Sequence, residues 1–193
     1  TDGQIYYFTV RAVDNAGNTG TAANSNGQMV DTTAPGAFTN TLTEGTNPGY
    51  QYLSGTTLYY NSGFTGGFTV SAAPTDTGSG IQKVNFPALG TGFTGDGDDA
   101  SSPYSAAYAW TTAATTSPGA QNTTAYNNAG LTTTAGFTVT NDAAAPAGGS
   151  LTYTDGVYAA ASVSITLVDG TDSGSGIATR VLQRQETSFT NNT

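Results

Sequence analysis

Three short motifs return along this chain in the same cyclic order, and no other feature limits its fold so tightly. Val30-Asp31-Thr32-Thr33-Ala34-Pro35 reappears as Asn141-Asp142-Ala143-Ala144-Ala145-Pro146. Thr75-Asp76-Thr77-Gly78-Ser79-Gly80-Ile81 reappears as Thr171-Asp172-Ser173-Gly174-Ser175-Gly176-Ile177. Asp14-Asn15-Ala16-Gly17 reappears as Asn127-Asn128-Ala129-Gly130. Landmarks in a fixed order, repeating at similar offsets on the order of 100 residues, imply tandem homologous modules. On that reading positions 1–30 are the closing hairpin of a first module, 31–141 form a complete module, and 142–193 hold the N-terminal strands of a third.

The modules read as β-structure. Tyr6, Phe8, Val10 and Ala12 alternate with Tyr7, Thr9, Arg11 and Val13, the period of a strand with one buried face. Thr, Ala, Gly, Ser and Asn dominate, charged residues are 9% of the chain, and no stretch sustains a helical period. In 31–141 a first strand is expected near 37–43. An inner strand follows at 66–74 with Phe68 and Val70 inward, and 81–89 reads as its partner. A Gly- and Asp-rich loop spans 90–102. Tyr104, Ala106, Tyr108 and Trp110 then share a face, by plain alternation or across a one-residue bulge. Two more strands close the module. In 142–193 a strand with Val163, Ile165 and Leu167 inward is expected. Eleven tyrosines and eight phenylalanines supply enough apolar area for sandwich cores. The fold class is all-β, as antiparallel sandwiches.

Tyr-x-Phe-x-Val-x-Ala-x-Asp-x-x-Gly at 6–17 resembles the penultimate strand and last turn of fibronectin type III and bacterial immunoglobulin-like domains. The junction Val30–Pro35, and the loop Asp76–Ile81 running into a strand, are similar to the immunoglobulin-like tandem repeats of large bacterial surface proteins and adhesins. The resemblance covers nearly the whole chain. It implies tandem immunoglobulin-like (fibronectin type III-like) β-sandwiches of a cell-surface protein or adhesin.

The chemistry available is narrow. With no His and no Cys, Ser-His-Asp or Cys-His catalysis is excluded, and so are sites ligated by His or thiolate. Carboxylate pairs remain, but they lie in loops among small polar residues rather than against apolar groups that would raise a pKa; the chain is expected not to be an enzyme. The net charge of −9, with Arg11, Lys83, Arg180 and Arg184 the only cationic side chains, argues against a nucleic-acid partner. No apolar run is long enough for insertion in a membrane. Low charge with abundant Thr, Asn and Gly fits an extracellular or cell-surface location.

In such a sandwich Asp31, in the entry linker, is expected beside Asp76 and the Asn127-Asn128 turn. Asp142 is expected beside Asp172 and Asp169, and Asp96, Asp98 and Asp99 at the opposite end, facing the second junction. Oxygen-rich loops suit calcium, so Asp31, Asp76, Asp142, Asp172, Asp96, Asp98 and Asp99 are candidate ligands stiffening the junctions. The competing reading has Asp14, Asp76 and Asp172 capping turns, with Gly17, Gly78 and Gly174 at positive φ. Tyr50, Tyr52, Tyr59 and Tyr60 form a candidate aromatic contact for surface glycans or for another subunit, or else an elaborated sandwich edge.

The expected function is a structural or adhesive segment that stacks modules end to end, with copies of itself or neighbouring repeats as head-to-tail partners. The part-modules at 1–30 and 142–193 are expected to be completed either by further repeats of a longer array or by strand complementation between copies, using the face Tyr6, Phe8, Val10 and Ala12. The alternative is a carbohydrate-binding or spacer module attached to a secreted enzyme.

Overall fold

A computed structural model describes residues 1–154 and 162–186. The chain divides into two compact units, Thr1–Asn141 and Asp142–Thr193. Of the segment expected to open a third module, positions 155–161 and 187–193 lie outside the described residues. The described residues are all-β, with one 3₁₀ turn at Pro48–Tyr50 and no helix long and apolar enough to cross a membrane.

The segment 1–30 forms a hairpin. Strand β1 (Ile5–Tyr6) pairs with β4 (Gln28–Met29), and β2 (Thr9–Val10) with β3 (Ala23–Asn24), all antiparallel. Asp14 closes its turn by accepting from the backbone N–H groups of Ala16 (2.9 Å) and Asn18 (2.8 Å). The alternating face is present but not buried. Phe8 is 67% and Val10 68% exposed, because no second sheet packs on this hairpin among the described residues.

The segment 40–141 builds a two-layered sandwich. The four-stranded layer runs β10 (Phe93–Thr94), β12 (Tyr104–Trp110), β8 (Gly66–Ala72), β5 (Asn40–Glu44), antiparallel throughout. The six-stranded layer runs β11 (Gly97–Asp99), β9 (Ile81–Phe86), β13 (Gly119–Asn127), β14 (Thr132–Asn141), β7 (Thr57–Tyr60), β6 (Gln51–Ser54). Within these two layers only the β14–β7 pairing is parallel.

Two expectations are corrected here. The strand at Ile81–Phe86 does not partner Gly66–Ala72. The chain crosses from one layer to the other after Ala72, so β9 pairs with β13 and β11 while β8 pairs with β12 and β5. The segment 90–102 is not one loop either. It contributes an edge strand to each layer, β10 beside β12 and β11 beside β9.

Strand β12 alternates buried and exposed without a bulge, which puts Tyr104, Ala106, Tyr108 and Trp110 inward. Phe68 and Val70 join them from β8, and Val84, Ala125, Phe137 and Val139 come from the other layer. Trp110 is 1% exposed and lies against Gly66, where any side chain would collide with the indole. Its Nε1–H donates to the Phe64 carbonyl (3.0 Å), and Tyr60 packs on it at 5.4 Å. Tyr60 is therefore a core residue. Its hydroxyl donates to the Ala114 carbonyl (2.8 Å), and burial pushes its pKa up to about 12. One polar bridge crosses the core: Thr123 donates to Asn40 Oδ1 (2.8 Å), and Asn40 Nδ2 donates to the Ala135 carbonyl (2.8 Å). Because a buried amide must be paired, this fixes the position of β5 against β13 and β14.

In the second unit β15 (Ser150–Tyr153) pairs with β16 (Ile165–Val168). Val163, Ile165 and Leu167 are exposed rather than inward, since no facing layer is present among the described residues.

Replacing the Trp110 indole by a methyl group leaves a cavity bordered by Tyr60, Phe68 and Gly66. Trp110→Ala is expected to lower the unfolding free energy of the sandwich by about 4 kcal/mol. Urea denaturation followed by circular dichroism measures it, and a loss under about 1 kcal/mol would remove Trp110 from the centre of the core.

Candidate functional site

The candidate site lies where the chain enters the sandwich. Asp31 and Asp76, both half-buried, converge on the fully buried side chain of Asn127. Asn127 Nδ2 donates to Asp31 Oδ2 (3.0 Å), to Asp76 Oδ2 (3.3 Å) and to the Thr33 carbonyl (3.0 Å). Its Oδ1 accepts from the backbone N–H groups of Ala129 (3.1 Å) and Leu131 (2.8 Å), closing the β13–β14 turn. One amide thus fastens the entry linker, the β8–β9 loop and the last turn together.

The loop is shaped around the same carboxylates. Asp76 Oδ1 accepts from Gly78 N (3.1 Å) and Gly80 N (2.8 Å), and Asp31 Oδ2 accepts from Ser79 N (2.8 Å) and from the Ser79 hydroxyl. The Ser79 hydroxyl, then the N–H groups of Ser79 and Thr33, hold the Asp31 carboxyl below the usual carboxylate range.

The second motif copy adopts the same arrangement. Asp172 Oδ1 accepts from Gly174 N (2.9 Å) and Gly176 N (2.9 Å), and Asp142 Oδ2 accepts from Ser175 N (2.7 Å). The backbone clasp from Gly36 N to the Thr75 carbonyl (2.8 Å) is matched by Ala147 N to Thr171 O (3.0 Å). Asp169 does not join Asp142; it pairs with Arg180.

The turn glycines work differently from expectation. Gly17, Gly80 and Gly176 have positive φ, but Gly78 and Gly174 do not. Those two are needed for space. A Cβ on Gly78 would lie 2.7 Å from the Asp31 carboxylate, and one on Gly174 would collide with Asp142.

Asp98 and Asp99 sit on β11, an edge strand beside β9, and each has its own partners. Asp98 takes Lys83 Nζ (2.7 Å) and Asn85 Nδ2 (2.8 Å), and Asp99 takes Ser101 N (2.9 Å) and Ser105 N (2.9 Å). These donors, Lys83 first for Asp98 and Ser105 N first for Asp99, lower both pKa values. Asp96 is exposed between the edge strands β10 and β11. The structure thus brings Asp31 and Asp76 to one point and Asp142 and Asp172 to one loop, while Asp98 and Asp99 share donors with neither pair. Among the described residues no three acidic side chains gather around one position.

The tyrosine group divides. Tyr60 points into the core, whereas Tyr52 and Tyr59 pair across the β6–β7 hairpin with ring centroids 6.2 Å apart. Tyr50 instead stacks on Phe64 at 3.6 Å, both rings partly exposed. Phe64 and Ser79 are not evident from sequence. Ser79 is marked only by its return as Ser175, and Phe64 by nothing local.

Asn127→Ala removes the shared donor and the turn cap, and is expected to cost about 2–3 kcal/mol by urea denaturation. Asn127→Asp puts a third carboxylate at that point. Its melting temperature should fall in EDTA and rise again with added calcium, while the unsubstituted chain shows a smaller response; equal responses would count against the amide's role. Asp31's depressed pKa contributes stability that is complete above the unfolded value and fades as pH falls through the folded one, below about pH 4. Ser79→Ala should shrink that acid-dependent loss, and an unchanged acid profile would exclude the hydroxyl as its cause.

Compared with known protein families, with curated proteins and with solved structures, the chain finds no match, and its function is read from this geometry.

Proposed function

We propose that the chain is a tension-bearing, adhesive segment of an extracellular surface protein or filament, made of immunoglobulin-like modules joined end to end. The observation that carries this reading is the clasp at Asp31. The incoming linker is bonded by side chains to the β8–β9 loop and the β13–β14 turn, and the same loop geometry recurs at Asp142. A linker held in this way cannot swivel freely on its module, which is what a spacer needs.

The path of the chain supports the same role. Strand β14 starts at the turn beside the entry linker and runs to Asn141. At roughly 3.4 Å per residue it spans the length of the sandwich, so the chain enters and leaves at opposite ends. Asn141 is fastened at the exit by its backbone N–H to Ser117 Oγ (2.8 Å) and its Nδ2 to the Thr115 carbonyl (2.9 Å). Tension along the chain therefore reaches the sandwich through both fastenings. Calcium at the junctions belongs to this proposal only as an added stiffener, with Asp31, Asp76, Asp142 and Asp172 as the carboxylates in place.

A second reading, a carbohydrate-binding module, is favoured by the partly exposed Tyr50–Phe64 stack and the Tyr52–Tyr59 pair. Flat exposed rings suit sugar faces. Glycan-array binding that is lost in Tyr52→Ala and Tyr59→Ala would support it. Tyr60→Ala is unsuitable because that ring is core.

The tension-bearing reading is tested by stretching the full chain from its two ends in a force spectrometer. One cooperative rupture is expected, with a contour-length gain of roughly 350 Å for the segment 31–141. Asn127→Ala should lower the rupture force. Gradual extension with no discrete rupture would refute the reading.

A further inference from the structure

Among the described residues the 5–30 hairpin and the β15–β16 pair each present an exposed apolar face, and the middle portion of the chain shows what covers such faces. In 31–141, the inward side of β5 and β8 (Leu42, Phe68, Val70) is covered by the layer that contains the β13–β14 hairpin. The pair Leu42–Val70 has a counterpart in Tyr153–Ile165, and Asn40–Ala72 in Leu151–Leu167, at the same places in the β15–β16 pairing. Leu151, Tyr153, Ile165 and Leu167 are all exposed, Ile165 at 44% and Leu167 at 50%. Leu167 also lines a cleft of about 380 Å³ with Val168, Ile177 and Leu182.

The counterpart of the covering hairpin is 5–30. Its turn is built like the β13–β14 turn. Gly17 N donates to Asp14 O as Gly130 N does to Asn127 O, each at 3.0 Å, and Gly17 and Gly130 both have positive φ. Aligning those two glycines places Phe8, Val10 and Ala12 at the positions of Gln121, Thr123 and Ala125, on the side of β13 that faces the core.

We propose that the N-terminal hairpin of one copy docks on the 142–186 unit of the next, laying Tyr6, Phe8, Val10 and Ala12 over Leu151, Tyr153, Ile165 and Leu167. The proposal rests on the end-to-end reading above and names its contact. Because the two surfaces differ and lie on separate parts of the chain, the contact is head-to-tail.

The same alignment identifies a residue that tunes the contact. Asp142 and Asp172 repeat the positions of Asp31 and Asp76, but among the described residues no amide donates to them as Asn127 does in the sandwich. The docking turn offers Asp14 there instead of asparagine, with its Oδ2 accepting from Asn18 Nδ2 (2.9 Å). Docking thus brings a third carboxylate toward two others, and Asp14 weakens an interface whose apolar faces favour it.

The test uses the full chain in analytical ultracentrifugation across a concentration series. Weight-average mass should climb above that of the monomer, and Asp14→Asn should bring the rise to about tenfold lower concentration. Phe8→Asp and Ile165→Asp, both at exposed positions, should each stay monomeric. Mixed in equal amounts they should form a one-to-one complex and stop there, since each retains the surface the other has lost. Monomers at every concentration for both the unsubstituted chain and Asp14→Asn would overturn the docking proposal while leaving the force measurement to judge the tension-bearing reading. A dimer indifferent to Phe8→Asp and Ile165→Asp would overturn it too.

Discussion

The entry of the chain into its sandwich depends on one amide. Asp31 and Asp76 come within hydrogen-bonding distance of the same Nδ2, and without a donor between them two carboxylates in a half-buried setting would repel. Asn127 supplies its N–H groups there and uses its oxygen to close its own turn, so every polar atom of a fully buried side chain is paired. The glycine at 78 follows from the arrangement, because the carboxylate of Asp31 occupies the space a Cβ would need. So does the position of Ser79, which donates from both its backbone and its hydroxyl to Asp31. A three-way clasp of loop, linker and turn thus grows from a few residues, and the geometry of the linker is inherited from it.

Much of the sandwich is legible in the sequence because period-two alternation is a direct physical signal. Tyr104 to Trp110 reads as a strand with one buried side, and it is one. Pairing is less legible. Strands adjacent in sequence can lie side by side in one layer or face each other across the core, and alternation is the same in both cases. Nothing in Gly66–Ala72 or Ile81–Phe86 distinguishes the two, and the chain takes the crossing route. The edge strands β10 and β11 are hidden for another reason. They are very short and lie among glycines and aspartates, so their sequence carries turn chemistry while their backbone is held by neighbours.

Site residues divide along the same line. The meeting of Asp31, Asp76 and Asn127 follows from where the motifs fall in a sandwich, and the recurrence of those motifs makes it visible. The tyrosines do not follow, since Tyr59 and Tyr60 are neighbours in sequence and so point to opposite sides of one strand. Only Tyr60 finds Trp110 and the Ala114 carbonyl. Asp98 is set by a register that no local pattern encodes: β11 pairs with β9 so that Asp98 stands opposite Asn85 and within reach of Lys83.

Asp14 carries an oxygen where Asn127 carries an amide nitrogen, on turns with the same backbone bonds, and that oxygen accepts from Asn18 Nδ2 (2.9 Å), where the other turn has Leu131. Both turns are closed by the same backbone bonds, so backbone shape alone cannot decide which half-sandwich a given hairpin fits. Apolar faces are equally undiscriminating, since burial rewards area rather than identity. Selectivity among such similar pieces must come from the polar point at the end of the strand, where a donor is welcomed by two carboxylates and a third carboxylate is not. Asn127 fastens its hairpin to its own sandwich at that point. In the proposed docking an Asp hairpin, carrying a similar apolar face with a penalty at its tip, would bind more weakly than an Asn hairpin.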